Sequence, residues 1–278
     1  MLLSLIAFAA VSTSSPALFV RQGEIIIYEV KSVPLVSSST LKVLFHGVPL
    51  PVFKRDYINF VVVPADVGEK PGEYELEISD DYNSFEKSKV VVQKNPFKEI
   101  VEGVAYEFVT LPAIEQQSIQ KAKAPLVASL NTSAKATLPQ LWLNTFSYPV
   151  LNPEITEEFG RTRIYTNFRS VHKGTDFRGN TTTPILATSD GKISFAADKP
   201  LYFEGNSVIL DHGQGMVSEY LHLSKVSVKE GEFVRRGEVL GYAGATGFVT
   251  GPHLHFAIKI GKAYVDPVQF IESFIERE

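Results

Sequence analysis

No cysteine occurs in the 278 residues. That absence excludes disulfide staples, thiolate zinc sites and a cysteine nucleophile, so any metal must be held by histidine and carboxylate. Basic residues are not in excess either. Lysine plus arginine number 27 against 31 acidic residues, a formal net charge of −4, and nothing resembles the basic stripe of a nucleic-acid binder. There is no His-Glu-x-x-His, so the helical two-histidine metalloprotease motif is missing. No apolar run reaches the roughly 20 residues a membrane span requires, and the mature chain is expected to carry no such span. What is present is ordinary globular material. The apolar fraction is 44%, enough for a sizeable core, and the length suggests two domains or one large one.

The chain opens MLLSLIAFAA, followed by the small-residue run Val11 to Ala17. Residues 1–17 read as a secretory signal peptide, although no basic residue precedes the apolar stretch, and the protein is expected to be exported to the periplasm or cell envelope. Residues 18–94 then alternate short β-rich runs with turn signals. The runs are EIIIYEV from Glu24, LKVLF from Leu41, NFVVV from Asn59, YELEI from Tyr74 and KVVV from Lys89. This spacing predicts a small immunoglobulin-like sandwich. His46 lies on a turn there and reads as a surface residue without a partner.

Residues 95–148 form a connector. Ala113 to Ala136 has helical composition that Pro125 should kink or end. The only tryptophan, Trp142, sits among Leu141, Leu143 and Phe146 and reads as a hydrophobic clasp between domains. Asn131 and Asn144 make this connector a candidate cover for a neighbouring groove. From residue 149 to 278 the strands resume with dense glycine, and only Val268 to Ile275 reads as helix. The fold class expected is therefore all-β.

Five of the six histidines follow residue 170. Two clusters matter: His172-Lys173-Gly174-Thr175-Asp176 and Pro252-His253-Leu254-His255-Phe256. In a strand, residues i and i+2 share a face, so His253 and His255 should project into one cleft with Leu254 turned to the core. Gly174 disfavours a helix, which leaves His172 and Asp176 in an extended or turning segment. A catalytic zinc takes three protein ligands plus water, and His, Asp and a further His supply such a set. Each cluster alone is weak evidence; together they point to a metal site. Tyr220 and His222 are two apart, so the same period puts both on one face. His212 is assigned no chemistry, and Tyr165 reads as a surface-loop residue. The run Val228 to Gly241 shares its glycine spacing with biotinyl and lipoyl carriers but lacks their Lys-Met hairpin, so Gly231, Gly237 and Gly241 read as turn formers.

Several stretches between about 150 and 270 together resemble the lysostaphin/LytM-type (M23) peptidases: Phe159 to Arg163, His172 to Phe177, Asp211-His212-Gly213, Tyr220 to Ser224, Gly244 to Gly247 and Gly251 to Phe256. The N-terminal part resembles the layout of Gram-negative members with an extra β domain. The resemblance implies one zinc ion held by His172, Asp176 and His255. It implies that His222 and His253 are not ligands but flank the metal water and handle its proton. It further implies hydrolysis of peptide bonds in peptidoglycan stems or cross-bridges, with other cell-envelope proteins as possible partners of the N-terminal domain. The rival readings are a wall-binding module and a non-catalytic regulator of cell-wall amidases. Such relatives have lost a ligand or a catalytic histidine, whereas all five positions are filled here.

Overall fold

The computed structural model describes residues 17–30, 41–55, 57–79, 84–101, 112–135, 138–143, 145–165 and 169–275. The segment read as a signal peptide falls outside them, apart from Ala17. Two helices, α1 (Ala113–Ser133) and α2 (Pro267–Phe274), accompany many short strands among the described residues, as expected of an all-β chain. Neither helix is long and apolar enough to cross a membrane.

The N-terminal strands form two facing sheets. One has five strands in the order Leu18–Arg21, Ser84–Gln93, Gly72–Ser79, Lys42–Phe45, Val48–Leu50. The other has three, in the order Ile25–Glu29, Ile58–Pro64, Val52–Arg55. Val43, Leu76, Ile78 and Val90 meet Val61 and Val63 in the core between them. The run NFVVV carries no polar alternation because both its faces are covered. Val61 and Val63 face that core, while Phe60 and Val62 face a second, larger core shared with the C-terminal half. His46 is exposed at φ +51°, and its ring does find a partner, standing edge-on to Tyr74 at 4.9 Å.

Trp142 closes that second core. Its ring lies 5.3 Å from Phe53 of the three-stranded sheet, 5.1 Å from Phe146 and 5.3 Å from Phe274 of α2. Burying rings of this size contributes a few kcal/mol each, roughly 1.5–3 for a large apolar side chain. This is the clasp its sequence neighbourhood suggests. Helix α1 does not stop at Pro125 but runs through it. The missing N–H leaves the carbonyl of Lys121 without its helical donor, and Lys121 is exposed, so water can take its place. The buried edge of the helix, Leu126 and Leu130, packs on Phe195, Ile209 and Val217.

The C-terminal half is built on an antiparallel sheet in the order Ile155–Glu157, Thr175–Arg178, His253–Ile260, Met216–Leu223, Gly205–Gly213, Gly191–Leu201, Phe233–Val234. Ala263–Val265 pairs with the far end of His253–Ile260. Gly231 and Gly237 do turn the chain, at φ +87° and +84°. Gly241 does not. It lies inside the strand Val239–Tyr242, where a Cβ would come within 2.2 Å of the Lys225 carbonyl oxygen, so it is glycine for close approach.

His212 sits wholly buried inside this half. Its Nδ1–H donates to the Asp190 carbonyl at 2.7 Å, and Nε2 meets the Ser218 hydroxyl at 2.8 Å. The chain of hydroxyls continues from Ser218 to Tyr220 at 3.0 Å, and the Thr188 N–H donates to the Tyr220 oxygen at 2.9 Å. Burial pushes the imidazole down to about 4. The unfolded chain, with His near 6.5, binds more protons between those values, so folding stability rises with pH across that window. We expect His212 to cost about 3 kcal/mol of stability as pH falls from 6.5 to 4. Urea unfolding at several pH values checks this: His212→Gln should flatten the slope in that window, and an unchanged slope would contradict the assignment.

Candidate metal centre

Two strands that meet in antiparallel register build the centre. Thr175–Arg178 pairs with His253–Phe256, and Asp176 lies directly opposite His255. The next register pair, Phe177 with Leu254, is fully buried on the core face. Alternation therefore sends Asp176, His253 and His255 to the opposite face, as the His-x-His spacing implies. His172 arrives from the loop just before Thr175.

The donor atoms converge. His172 Nε2 lies 3.1 Å from Asp176 Oδ1 and 3.0 Å from His255 Nδ1, and His255 Nδ1 lies 2.9 Å from Asp176 Oδ1. Ligand atoms of these three residues all fall within 4.8 Å of one another. His172 Nδ1–H donates to the Glu158 carbonyl at 2.9 Å, which leaves the Nε2 lone pair aimed into the group. This backbone partner fixes the ring as outer-shell acceptors do around metal-ligating histidines. Two imidazoles and one carboxylate are the donor chemistry of a zinc site with an open fourth position, so the residues fit that ion.

His253 stands beside the group. Its Nδ1–H donates to the Gly251 carbonyl at 2.8 Å, and Nε2 lies 3.6 Å from Asp176 Oδ2. His222 is the surprise. Leu221 pairs with His255 and Tyr220 with Phe256, so regular alternation would turn His222 toward the core with Tyr220. Tyr220 does go there and packs on Phe256. His222 instead adopts φ +66°, uncommon for a residue with a Cβ, and its ring swings to the other side. It lies 5.0 Å from the His253 ring and 5.9 Å from the His255 ring. The expectation that Tyr220 and His222 share a face thus fails, because one left-handed residue resets the period. Its Nδ1–H donates to the Thr246 carbonyl at 3.0 Å, so Nε2 is the basic atom facing the group.

Electrostatics follow from burial and these contacts. Burial alone would raise the Asp176 carboxyl, but hydrogen bonds from His172 and His255, then their charges, hold it well below the carboxylate range. Burial lowers His255 and lowers His222 to about 3, the latter helped by the neighbouring His255 and His253. For His172 burial is outweighed by the Asp176 hydrogen bond and charge, and its value rises.

A cavity of about 580 Å³ opens over the centre. His172, Asp176, His222, His253 and His255 form its floor. One wall is the loop from Gly247 to Pro252, with Phe248 and Val249. The other carries Thr156, Glu157 and Arg163. Glu157 went unread in the sequence, and Arg163, which ends a stretch that resembles the peptidase family, was given no role. The signal that could have found Glu157 is its register partner, since it pairs with Asp176 across neighbouring strands. No described residue of 95–148 lines the cavity. Asn131 lies on the exposed side of α1, and Asn144 falls outside the described residues. Tyr165, read as a surface-loop residue, is buried.

A β-sheet chain with a convergent two-histidine, one-carboxylate donor group is what this geometry defines. Residues 170–267 match the profile of Peptidase family M23, so the chain carries a Peptidase M23 domain. Over 98 residues it is 40% identical to the peptidoglycan DD-endopeptidase ShyB of Vibrio cholerae, covering 35% of this chain and 22% of ShyB. Over 121 residues it is 40% identical to the DD-carboxypeptidase/endopeptidase Mpg of Neisseria meningitidis, covering 43% and 27%. The chain thus spans about a quarter of the length of the curated relatives it matches. A crystal structure from Pseudomonas aeruginosa assigned to peptidase M23 superposes with a TM-score of 0.67 at 28% identity, over 91% of this chain and 95% of that one.

Gly174 is where the centre is least tolerant of change. A Cβ there would lie 2.5 Å from the Phe256 carbonyl oxygen and 2.6 Å from His255 Nε2. Neither can retreat without disturbing the strand pair. Gly174→Ala should weaken zinc retention at least tenfold in chelator competition and lower stability by about 1–3 kcal/mol, the usual cost of overpacking. Native zinc affinity in that variant would refute the close-packing argument.

Proposed function

We propose that the protein is a zinc-dependent endopeptidase that hydrolyses peptide bonds in peptidoglycan peptides. The observation that carries this reading is the convergence of His172 Nε2, Asp176 Oδ1 and His255 Nδ1 on the floor of an open cavity, inside the segment that matches peptidase family M23. In this reading His172, Asp176 and His255 hold one zinc ion, and His222 and His253 are the catalytic histidines. ShyB, ShyA and Mpg bear the names of peptidoglycan or DD-peptide hydrolases, which supports the substrate class and, with it, export to the cell envelope. We assign residues 18–94 to the β-sandwich, 95–148 to the connector and 149–278 to the peptidase domain.

Bound zinc would supply Lewis acidity, polarising the scissile carbonyl and acidifying a water molecule. The chain's own residues do the rest. His172, Asp176 and His255 hold the ion from one strand pair and its entry loop. His253 and His222 each give their Nδ1–H to a backbone carbonyl and keep Nε2 basic toward the floor. Each can therefore take a proton there and return it to the leaving amine. Burial keeps His222 neutral throughout the physiological range. The walls hold the peptide across this floor and shed water from it.

Ligand and proton carrier separate cleanly in experiment. His172→Ala and His255→Ala should lose both zinc and hydrolysis. His222→Ala and His253→Ala should retain stoichiometric zinc while turnover drops about 10²–10⁴-fold, the scale of lost acid–base assistance. Elemental analysis beside digestion of purified sacculi checks this, and a metal-free His253 variant would reverse the assignment within the His-x-His pair. A native chain that keeps its zinc yet leaves sacculi intact would overturn the endopeptidase reading.

Acid should strip the centre. His ligands bind zinc only when neutral. His172 is the ligand whose value is raised, by its hydrogen bond and charge contact with Asp176, so protons compete with the metal there most readily, and zinc retention should decline as the solution is made acid. Dialysis at stepped pH followed by metal analysis would expose the error if retention stayed constant to pH 4.

A further inference from the structure

We propose that Arg163, held in place by Glu157, reads a free carboxylate on the substrate peptide beside the scissile amide. This rests on the endopeptidase reading above and adds the chemistry that the cleft selects.

Three observations carry it. Both residues line the same cavity as the donor group, and Arg163 is the one cation among the described residues that do. Glu157 is locked opposite Asp176 by strand register, which fixes its carboxylate at the edge of the centre. The guanidinium is then held by contact between Arg163 Nη2 and Glu157 Oε2. The exposures are graded. The Glu157 side chain is 12% exposed and that of Arg163 30%, so the acid lies deep and the cation lies nearer the opening. Ion pairs on the sandwich are different; Lys87 and Glu75, for example, are 54% and 58% exposed.

Such a pair is a poor device for stability. Taking two charges out of water costs about what their attraction returns. Glu157 Oε1 is also buried with no hydrogen-bond partner among the described residues, which costs more. What the pair does provide is orientation. A guanidinium has five N–H donors in a fixed plane and suits a carboxylate edge-on, and anchoring it through Glu157 removes the rotamer freedom a long side chain would otherwise lose on binding. The loop from Gly247 to Pro252 lines the same cavity with Phe248, Val249 and Pro252, and with Thr250 as its one polar side chain. The cleft is therefore charged where Glu157 and Arg163 line it and mostly apolar along the loop, and a peptide with one acidic and one apolar flank would lie across it in a single direction.

The test uses two soluble peptides that differ only in whether the carboxylate next to the scissile amide is free or a primary carboxamide. With the zinc-loaded full chain, the free acid should be preferred, mainly through a lower KM. In Arg163→Gln the acid-over-amide ratio of kcat/KM should fall about 10- to 100-fold, the scale of losing a charge-assisted hydrogen bond. Glu157→Gln, nearly isosteric, should lower the same ratio, and Arg163→Lys should restore little of it because an ammonium cannot fork. Zinc content should not change in any of them. A ratio left intact in Arg163→Gln, an equal loss on both peptides, or a native preference for the amide would each overturn the proposal. Calorimetric binding of the same peptides with the scissile amide reduced to a methylene-amine separates the two readings. If nothing is hydrolysed yet the acid still binds better and Arg163→Gln abolishes that, only the endopeptidase reading falls. Binding without acid preference would sink this proposal while hydrolysis survived.

Discussion

The cross-strand pair Asp176–His255 is the contact on which the rest depends. It joins the carboxylate and an imidazole of the donor group at 2.9 Å through the register of two strands. A slip of one residue would send both side chains into the core and bring Phe177 and Leu254 out. The register is therefore specified by the burial of Phe177 and Leu254 as much as by anything in the centre itself. A chemical site and a hydrophobic core are here two faces of one pairing. The same register carries outward to Glu157 and inward to Leu221, so the cleft wall, the donor group and the floor strand are aligned by a single choice.

The second constraint is the three-stranded sheet that serves two cores. Val61 and Val63 close the sandwich, while Phe53, Phe60 and Val62 meet Trp142 and α2. Fully burying both faces of a short strand makes the N-terminal sandwich a structural neighbour of the sheet that carries the donor group, not a bead on a string. Backbone bonds reinforce it: the Asp266 N–H donates to Gly23, and the Val67 N–H donates to Tyr264. Interfaces built this way resist relative motion more than the polar contacts common between domains.

Much of this was legible in residue order, and the reason is periodicity. His253 and His255 are two apart and Leu254 lies between them, so strand geometry alone separates site from core. His172 and Asp176 flank a glycine, and a Cβ at that glycine would strike His255 Nε2 at 2.6 Å. The NFVVV run showed a strand but not that it would serve two cores, because continuous apolarity says only that both faces are covered. Of the two outcomes Pro125 allowed, a kink or an end, the end did not occur, because the lost hydrogen bond lies on an exposed face where water can replace it. The pairing of Glu157 with Arg163 was invisible for a different reason. Nothing local marks an acid and a base six residues apart as a pair, and only the sheet brings them to one wall.

His222 is the instructive case. Its identity was readable from the resemblance of Tyr-Leu-His to the peptidase pattern, yet its direction was not, because the period-two rule sends it the wrong way. The positive φ that corrects this stores strain of order 1–3 kcal/mol. Strain of that size persists only where the surroundings overdetermine the conformation. Here they do: the His222 N–H donates to the Glu204 carbonyl at 2.9 Å, and its Nδ1–H donates to Thr246 at 3.0 Å. Thr246 is itself pinned, its hydroxyl donating to Leu223 and accepting from the Asn206 N–H. Had the strand kept its period here, it would have turned this ring into the core beside Tyr220. That it instead carries a strained histidine to the floor, with Nδ1 committed to a carbonyl and Nε2 left basic, is the arrangement expected when the position of one nitrogen matters more than the comfort of the backbone that holds it.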